Sequence, residues 1–130
     1  MVIDTSIITA IVLNGSEAQT FEALISDDPV RLISAASVLE ASMVIESRRG
    51  EAGAKEFDMW LYLTEVKIIP VDAEHVNQAR SAWRRFGKGR HPAALNFGDC
   101  FSCALAKLSD EPLLFKGNDF SKTDIEAVWR

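Results

Sequence analysis

The sequence predicts an α/β protein whose mainly parallel sheet is covered by helices on both faces. Two observations support this fold class: short apolar runs alternate with longer segments of helical periodicity, and no repeat or linker interrupts the alternation. The chain has 130 residues, of which 48% are hydrophobic and 25% charged. We therefore expect one globular domain that spans residues 1–130.

Short apolar runs that end near polar or turn-forming residues are the predicted strands. They are Met1 to Ile3, Leu32 to Ser34, Lys67 to Val71 and Pro112 to Phe115, with Glu126 to Trp129 as a candidate fifth. Pro70 lies near the end of the third run and favours an edge or a strand end there. Because these runs alternate with helical segments, we expect a parallel sheet of four to five short strands.

Helical periodicity and capping residues predict the segments between the strands. The predicted helices are Thr5 to Asn14, a helix capped by Ser16, Ser37 to Arg48, Ala52 to Glu65, a helix capped by Asp72, and a last one that starts at Gly98 and Asp99. The helix after Asp72 has four apolar residues at helical spacing, which predicts one buried face: Val76, Ala79, Trp83 and Phe86. In sheets of this kind ligands bind beyond the carboxyl ends of the strands, so functional residues are expected at that edge.

Charge, hydropathy and cysteine content restrict the classes of function. The net charge of −5 argues against indiscriminate binding of nucleic acid but does not exclude a local basic patch. The chain opens without a signal-peptide pattern, and the apolar stretch from Ile7 to Leu13 is too short to cross a bilayer, so we expect a cytoplasmic protein. Cys100 and Cys103 form a C-x-x-C pair within a helical pattern. We interpret them as packing residues, because no second pair completes a zinc site.

Four acidic residues are expected at the carboxyl edge of the sheet. Asp4 follows the first strand, Asp119 follows the fourth, and Glu40 and Asp99 lie near the starts of helices. Each of the last three also has a structural interpretation. Glu40 completes a capping box with Ser37, Asp99 suits a helix N-terminus, and Asp119 is compatible with an ordinary turn.

Asp4 most needs a chemical explanation, because it ends an apolar strand. Burying an ionised carboxylate is costly unless a cation or several hydrogen-bond donors compensate it. The other acids at this edge would repel Asp4, and no lysine or histidine occupies an equivalent position. A divalent cation resolves the conflict, because Mg²⁺ is held by one or two carboxylates and water, with substrate phosphates completing its coordination. The pattern therefore favours phosphoryl chemistry.

Four segments resemble, in their order and spacing, the acidic motifs of PIN-domain nucleases, and in particular of VapC toxins from bacterial toxin–antitoxin pairs. The segments are Val2 to Ser6, Ser34 to Glu40, Asn96 to Cys100 and Leu113 to Phe120, the last of which contains Gly-Asn-Asp-Phe. The resemblance covers essentially the whole chain. It implies a PIN-like three-layer α/β/α sandwich and the activity of an endoribonuclease that depends on Mg²⁺, with Mn²⁺ as a substitute.

The resemblance also implies roles for individual residues and for partners. It carries catalytic roles onto Asp4, Glu40, Asp99 and Asp119, with Asp4, Asp99 and Asp119 as the metal ligands; Asp124 is the alternative fourth acid. VapC-like proteins are toxins of type II systems that form homodimers. They are inhibited by a VapB-like antitoxin whose tail occupies the active-site groove, so we expect both partners here besides the RNA substrate.

Neighbouring polar and basic residues are candidates for supporting roles. Ser6, together with Thr5 and Asn118, is a candidate to orient a carboxylate or a water on the metal, although Ser6 is equally suited to capping the first helical turn. The candidate RNA-binding residues are Arg84, Arg85, Lys88, Arg90 and Lys116. A solvated helix end explains the first four equally well.

Three other functions compete with a nuclease. An aspartyl phosphatase of the haloacid-dehalogenase type expects a second acid two residues after Asp4, and Ser6 stands there instead. A non-catalytic binding module would use the acids only as helix caps. A redox protein would depend on Cys100 and Cys103, whereas the nuclease hypothesis predicts that both cysteines are dispensable.

Overall fold

The computed structural model describes residues 1–13 and 15–128 and confirms the predicted fold class. In chain order the elements are β1 (Val2–Ile3), α1 (Thr5–Val12), α2 (Ala18–Asp27), β2 (Leu32–Ser34), α3 (Ala35–Thr64), β3 (Lys67–Ile69), α4 (Ala73–Phe86), α5 (Phe97–Ser109) and β4 (Leu113–Leu114). Strands and helices alternate as the sequence predicts. Among the described residues, no helix is both long and apolar enough to cross a membrane.

The four strands form a single sheet in the order β3-β2-β1-β4, and every pairing is parallel. The chain therefore builds the sheet outward from β1 through β2 to β3 and then returns to add β4 on the other side of β1. This reversal of strand order lies between β1 and β4, and ligands bind at such points in parallel sheets. Asp4 follows β1 directly, so the topology places it at the carboxyl edge beside the reversal.

Two apolar clusters, one on each face of the sheet, make the three layers. Neighbouring strand residues alternate between them: Ile3 and Leu114 belong to one cluster, and Val2 and Leu113 to the other. The first cluster is completed by α1, α2 and α3, and the second by α4 and α5. Burial of both faces explains why β1 and β4, at the middle and one side of the sheet, are apolar throughout.

The helix α3 consists of two helical segments that meet at Gly50. This glycine has φ 57° and ψ −145°, a conformation outside the helical region that interrupts the element in the middle. The break agrees with the predicted end of one helix and start of the next. The start of α3 is earlier than predicted, however, because the Ser34 side chain accepts a hydrogen bond from the Ala36 N–H at 3.3 Å and caps the helix there.

Several local predictions are wrong. Ser16 does not cap α2; Glu17 is the residue before the helix, and the chain enters through a backbone turn in which the Ala18 N–H donates to the Gly15 carbonyl. Val76 and Trp83 are not buried, since they are 43% and 44% exposed.

The candidate fifth strand is reduced to one isolated bridge between Ala127 and Leu113 in the described chain. Trp129, the end of that predicted strand, and Asn14, the end of the first predicted helix, lie outside the described residues.

Candidate active site

The four acids predicted from the sequence line one cleft at the carboxyl edge of the sheet. Asp4, Glu40, Asp99 and Asp119 all contribute to the walls of a cavity of about 250 Å³. They come from four different elements or turns, which the reversal of strand order brings together. The predicted convergence of these carboxylates is therefore found in the structure, while their chemical roles stay predictions.

Asp4 is held rigidly by hydroxyl and amide donors. One carboxylate oxygen, Oδ2, accepts hydrogen bonds from the Ser6 N–H at 3.0 Å and the Ser6 hydroxyl at 2.6 Å, while Oδ1 accepts one from the Ser102 hydroxyl at 2.6 Å. The side chain is only 5% exposed and also caps α1. The capping residue is therefore Asp4 and not Ser6, whose hydroxyl instead orients the Asp4 carboxylate. The neighbouring Thr5 hydroxyl donates instead to the Ser37 carbonyl at 3.4 Å.

Ser102 is a site residue that the sequence analysis missed. Its hydroxyl is fully buried and donates to Asp4, which is 98 positions away in the chain, and lies 3.4 Å from the Ser37 hydroxyl. Ser102 follows Asp99 by three residues, so the two share one face of α5. This spacing from a predicted acid is the signal in the sequence that points to it.

Asp99 is both a helix cap and a cleft residue. Its side chain accepts a hydrogen bond from the Asn96 N–H at 3.0 Å, and its own N–H donates to the Asn96 side chain at 2.9 Å, which completes a capping box at the start of α5. Burial raises the pKa of Asp99 to about 7, and the negative charges of Asp4 and Asp119 add to this effect. The carboxyl therefore lies in a negative site whose charge is incompletely compensated.

Glu40 is free of the capping role that the sequence allowed, because Ser34 rather than Ser37 caps α3. Its carboxylate packs directly against the backbone of Gly98, where an added Cβ would overlap with both Glu40 side-chain oxygens. A glycine immediately before Asp99 thus gives the Glu40 carboxylate room at the start of α5.

The structure distinguishes between the two candidates for the fourth acid. Asp119 lines the cleft and is exposed, and its side chain is one of the groups that raise the pKa of Asp99. Asp124 instead pairs with Lys107 at 2.6 Å and Arg85 at 3.1 Å, and the Lys107 hydrogen bond lowers its pKa. Only Asp119 of the two is available to the cleft.

Asn118, proposed as a supporting residue, is exposed in the turn before Asp119. Its backbone carbonyl accepts a hydrogen bond from the Ser121 hydroxyl at 2.8 Å. Within residues 1–13 and 15–128, the Asn118 side chain makes no hydrogen bond to any of the four acids. Its predicted role is therefore untested.

The acids suit a hydrated divalent cation better than a fully enclosed one. In the described part of the chain, no three acidic, histidine or cysteine side chains form a ready-made metal site. Mg²⁺ does not require one, because it usually keeps several waters and uses one or two protein carboxylates together with substrate phosphates. Asp4 and Asp99, buried in the same cleft, are the best-placed pair for such an ion.

Comparison with known proteins identifies the family. The sequence profile of the PIN domain matches residues 1–126. A Ribonuclease VapC from Mycolicibacterium smegmatis is 55% identical over 128 residues, covering 98% of this chain and 99% of the relative. Ribonuclease VapC30 from Mycobacterium tuberculosis is 52% identical, with 98% of both chains covered. The chain belongs to the PIN-domain family of VapC ribonucleases.

Solved structures of VapC proteins share the fold at much lower sequence identity. Mycobacterium tuberculosis VapC20, described as a sarcin–ricin loop cleaving toxin, aligns with a TM-score of 0.80 at 21% identity and covers 99% of this chain and 98% of its own. A VapBC2 structure from Rickettsia felis, bound to a promoter DNA fragment, aligns with a TM-score of 0.75 at 14% identity, covering 97% and 94%. The resemblance inferred from the four motifs and the fold class is thus confirmed.

The basic residues predicted to bind RNA are dispersed in this VapC-family chain. Arg85 pairs with Asp124, and the Arg90 guanidinium stacks 4.3 Å from the Trp83 ring centre. Lys88 lines a separate, largely apolar cavity that shares Asn96 with the acidic cleft. Arg84 is exposed in the last turn of α4. Of the five predicted residues, Lys116 is the one that lines the acidic cleft.

The cysteines of this VapC-family chain pack in the core. Cys100 and Cys103 are buried free thiols on α5 and belong to the apolar cluster beneath α4. Burial raises the pKa of Cys100 to about 11 and that of Cys103 to about 12, which suppresses the reactive thiolate. Both findings support the interpretation as packing residues.

Proposed function

We propose that the protein is a metal-dependent endoribonuclease that hydrolyses RNA phosphodiester bonds as the toxin of a type II toxin–antitoxin pair. The observation that carries the proposal is the cleft itself, in which Asp4, Glu40, Asp99 and Asp119 meet. The acids alone would suit several kinds of phosphoryl transfer. Because the chain belongs to the VapC ribonucleases, we assign RNA hydrolysis to this cleft.

In this mechanism Asp4 and Asp99 would hold a Mg²⁺ ion, and Asp119, which lines the same cleft, would be a third ligand. When bound, the ion lowers the pKa of the attacking water and neutralises charge that develops on the phosphate. The hydroxyls of Ser6 and Ser102 fix the orientation of the Asp4 carboxylate.

Glu40 acts on the water rather than on the ion. Its carboxylate lies against the start of α5, next to Asp99, and is not engaged in a helix cap. It accepts a proton from the attacking water and directs the water toward the phosphorus. Water rather than the ribose 2′-hydroxyl attacks the phosphorus, the P–O3′ bond breaks, and the 3′-oxygen leaves and is protonated to a 3′-hydroxyl, so the downstream fragment carries a 5′-phosphate.

Asp99 couples metal binding to protonation. Because its pKa is about 7 in the protein alone, a substantial fraction carries a proton at neutral pH. A bound Mg²⁺ would need the ionised carboxylate, so Asp99 would have to lose that proton before it could hold the ion. Cleavage should therefore increase with pH through the neutral range.

We further propose that a VapB-like antitoxin and a second copy of the chain are its protein partners. The VapBC2 structure from Rickettsia felis supports an antitoxin partner, and the homodimer is proposed from the resemblance to VapC toxins alone. An antitoxin tail in the acidic cleft would exclude RNA and so inhibit the enzyme by direct competition.

The test is incubation of the antitoxin-free protein with total RNA in Mg²⁺, Mn²⁺ or EDTA, with the Asp4→Asn variant prepared in parallel. We expect cleavage in either metal, none in EDTA, and none by Asp4→Asn. The variant also controls for contaminating ribonucleases. Cleavage in EDTA, or cleavage that survives the substitution, would exclude the proposed mechanism.

A further inference from the structure

A second groove, between α1 and α3, borders the acidic cleft. The cleft of about 250 Å³ and a neighbouring cavity of about 380 Å³ share four wall residues: Ser6, Thr9, Val44 and Lys116. Because these side chains border both spaces, the two cavities lie side by side at the protein surface, and together we call them the path. Their volumes fall near the lower end of the range for ligand sites.

One face of each helix builds this path. On α3, Glu40, Val44 and Arg48 succeed one another at intervals of four residues and so lie in one row. Glu40 lines the acidic cleft, Val44 lines both cavities, and Arg48 lines the second cavity. At 1.5 Å per residue, Arg48 lies about 12 Å along the helix axis from Glu40.

The sign of the charge changes along the path. The acids are concentrated at one end, while Lys116 lies at the shared wall and Arg48 beyond it. Lys116 is oriented by a contact of 3.4 Å to Glu17 and stays 44% exposed. Arg48 is exposed and makes no ion pair with any described residue, so its guanidinium is available to a ligand.

The adjacent arginine shows that this placement is specific to position 48. Arg49 points toward a different cavity, where it pairs with Glu56 at 2.9 Å. Two neighbouring residues of equal charge thus face different surfaces, and only one of them faces the path that leads from the acids.

We propose that the groove between α1 and α3 binds the RNA backbone next to the bond that is cut, with Arg48 and Lys116 as phosphate contacts. The inference rests on the proposed function, because the metal end of the path must hold the scissile phosphate. A cluster of carboxylates repels the phosphates on either side of that bond. A cation two helical turns away compensates this repulsion, and an arginine does so with a planar group that matches phosphate oxygens.

The decisive comparison is Arg48→Gln against Arg49→Gln, which remove the same charge from neighbouring positions. Both substitutions are made in the Glu40→Gln background, which removes the proposed proton acceptor but keeps the proposed metal ligands, so that the RNA stays intact under the proposed mechanism. Binding of a fluorescein-labelled single-stranded RNA of mixed sequence is measured by fluorescence anisotropy, at constant Mg²⁺ and from 50 to 200 mM KCl.

We expect Arg48→Gln to weaken RNA binding about fivefold at low salt, as for an exposed charge pair. The slope of log Kd against log salt should fall by about 0.7, the value for one phosphate contact on a single strand. Arg49→Gln should leave both quantities at the parental values, and Arg48→Lys should retain the salt slope. Thermal melting of each variant checks that the fold is intact.

Equal binding by the Arg48→Gln and Arg49→Gln proteins would overturn this inference, as would an absence of RNA binding by the Glu40→Gln parent. Failure of the proposed function is recognised separately, by an absence of RNA cleavage in the protein without substitutions. The two failures are distinguishable because the binding assay needs no turnover.

Discussion

Replacing Gly98 by alanine should separate stability from activity. Gly98 lies in the first turn of α5, and a Cβ at this position would overlap with both side-chain oxygens of Glu40. The atoms that must move are the far end of a flexible side chain, so the protein can accommodate the methyl group by displacing the carboxylate. Reaching an ordinary van der Waals separation requires a retreat of about 1 Å.

The two expected effects have opposite signs. Alanine is favoured over glycine within a helix by up to about 1 kcal/mol, so the Gly98→Ala protein should unfold at the same temperature as the unmodified protein or a few degrees higher. A misplacement of about 1 Å in a catalytic group costs about 100-fold in rate. Cleavage by Gly98→Ala should therefore fall by up to that factor while the fold becomes no weaker.

The assays are thermal melting and single-turnover cleavage of a labelled RNA that contains a mapped cut site. The matched control is the pair Glu40→Ala and Glu40→Ala with Gly98→Ala. Once the Glu40 side chain is truncated, the added methyl group has no carboxylate to displace, so these two proteins should cleave at the same reduced rate. Full activity of Gly98→Ala, or a further loss in the double variant, would refute the reasoning.

Three further predictions concern residues on α5. Ser102→Ala should raise the Mg²⁺ concentration for half-maximal cleavage by about tenfold, because Asp4 loses the donor to Oδ1; a metal titration unchanged from the parent would contradict this. Ionisation of Asp99, with its pKa raised from 3.8 to about 7 mainly by burial, should destabilise the metal-free fold as pH rises from 4 to 7, by up to about 4 kcal/mol. Urea unfolding of Asp99→Asn should therefore show a flatter dependence on pH than the unmodified protein, and parallel curves would be evidence against the assignment. Cys100 and Cys103, whose pKa values burial raises to about 11 and 12, should resist alkylation at pH 8 until the protein unfolds, and rapid labelling of the native state would reopen a redox role.

The sequence predicts the layers and the acids because both depend on local patterns. The apolar strand from Val2 to Ile3 must be buried on both faces, and the acid that follows it must then lie at the carboxyl edge. The break at Gly50 follows from a backbone conformation that glycine adopts easily.

Other features depend on packing between distant segments and leave little trace in the sequence. Val76 and Trp83 have the right spacing for a buried stripe, yet the part of α4 that meets α5 is the neighbouring face with Ala79, Ala82 and Phe86. Helical periodicity shows that a face exists but does not determine how much of it a partner covers.

The same argument explains the two site residues that sequence analysis did not find. Ser102 acquires its role only when α5 packs beside β1, and Arg48 only when α3 packs beside α1. Both nevertheless lie at helical spacing from a predicted acid, three residues after Asp99 and eight after Glu40. Polar and basic residues that share a helix face with a predicted acid are therefore candidates for the same region of the protein.

Titration of Mg²⁺ by calorimetry into the metal-free protein tests the central claim, that the cleft around Asp4 holds a divalent cation. Asp124→Asn is the matched control, because it removes an acid that is paired with Lys107 and Arg85 outside the cleft. We predict saturable binding by the unmodified protein and by Asp124→Asn, and at least a tenfold loss of affinity in Asp4→Asn. Equal Mg²⁺ affinity in Asp4→Asn and Asp124→Asn would contradict the account.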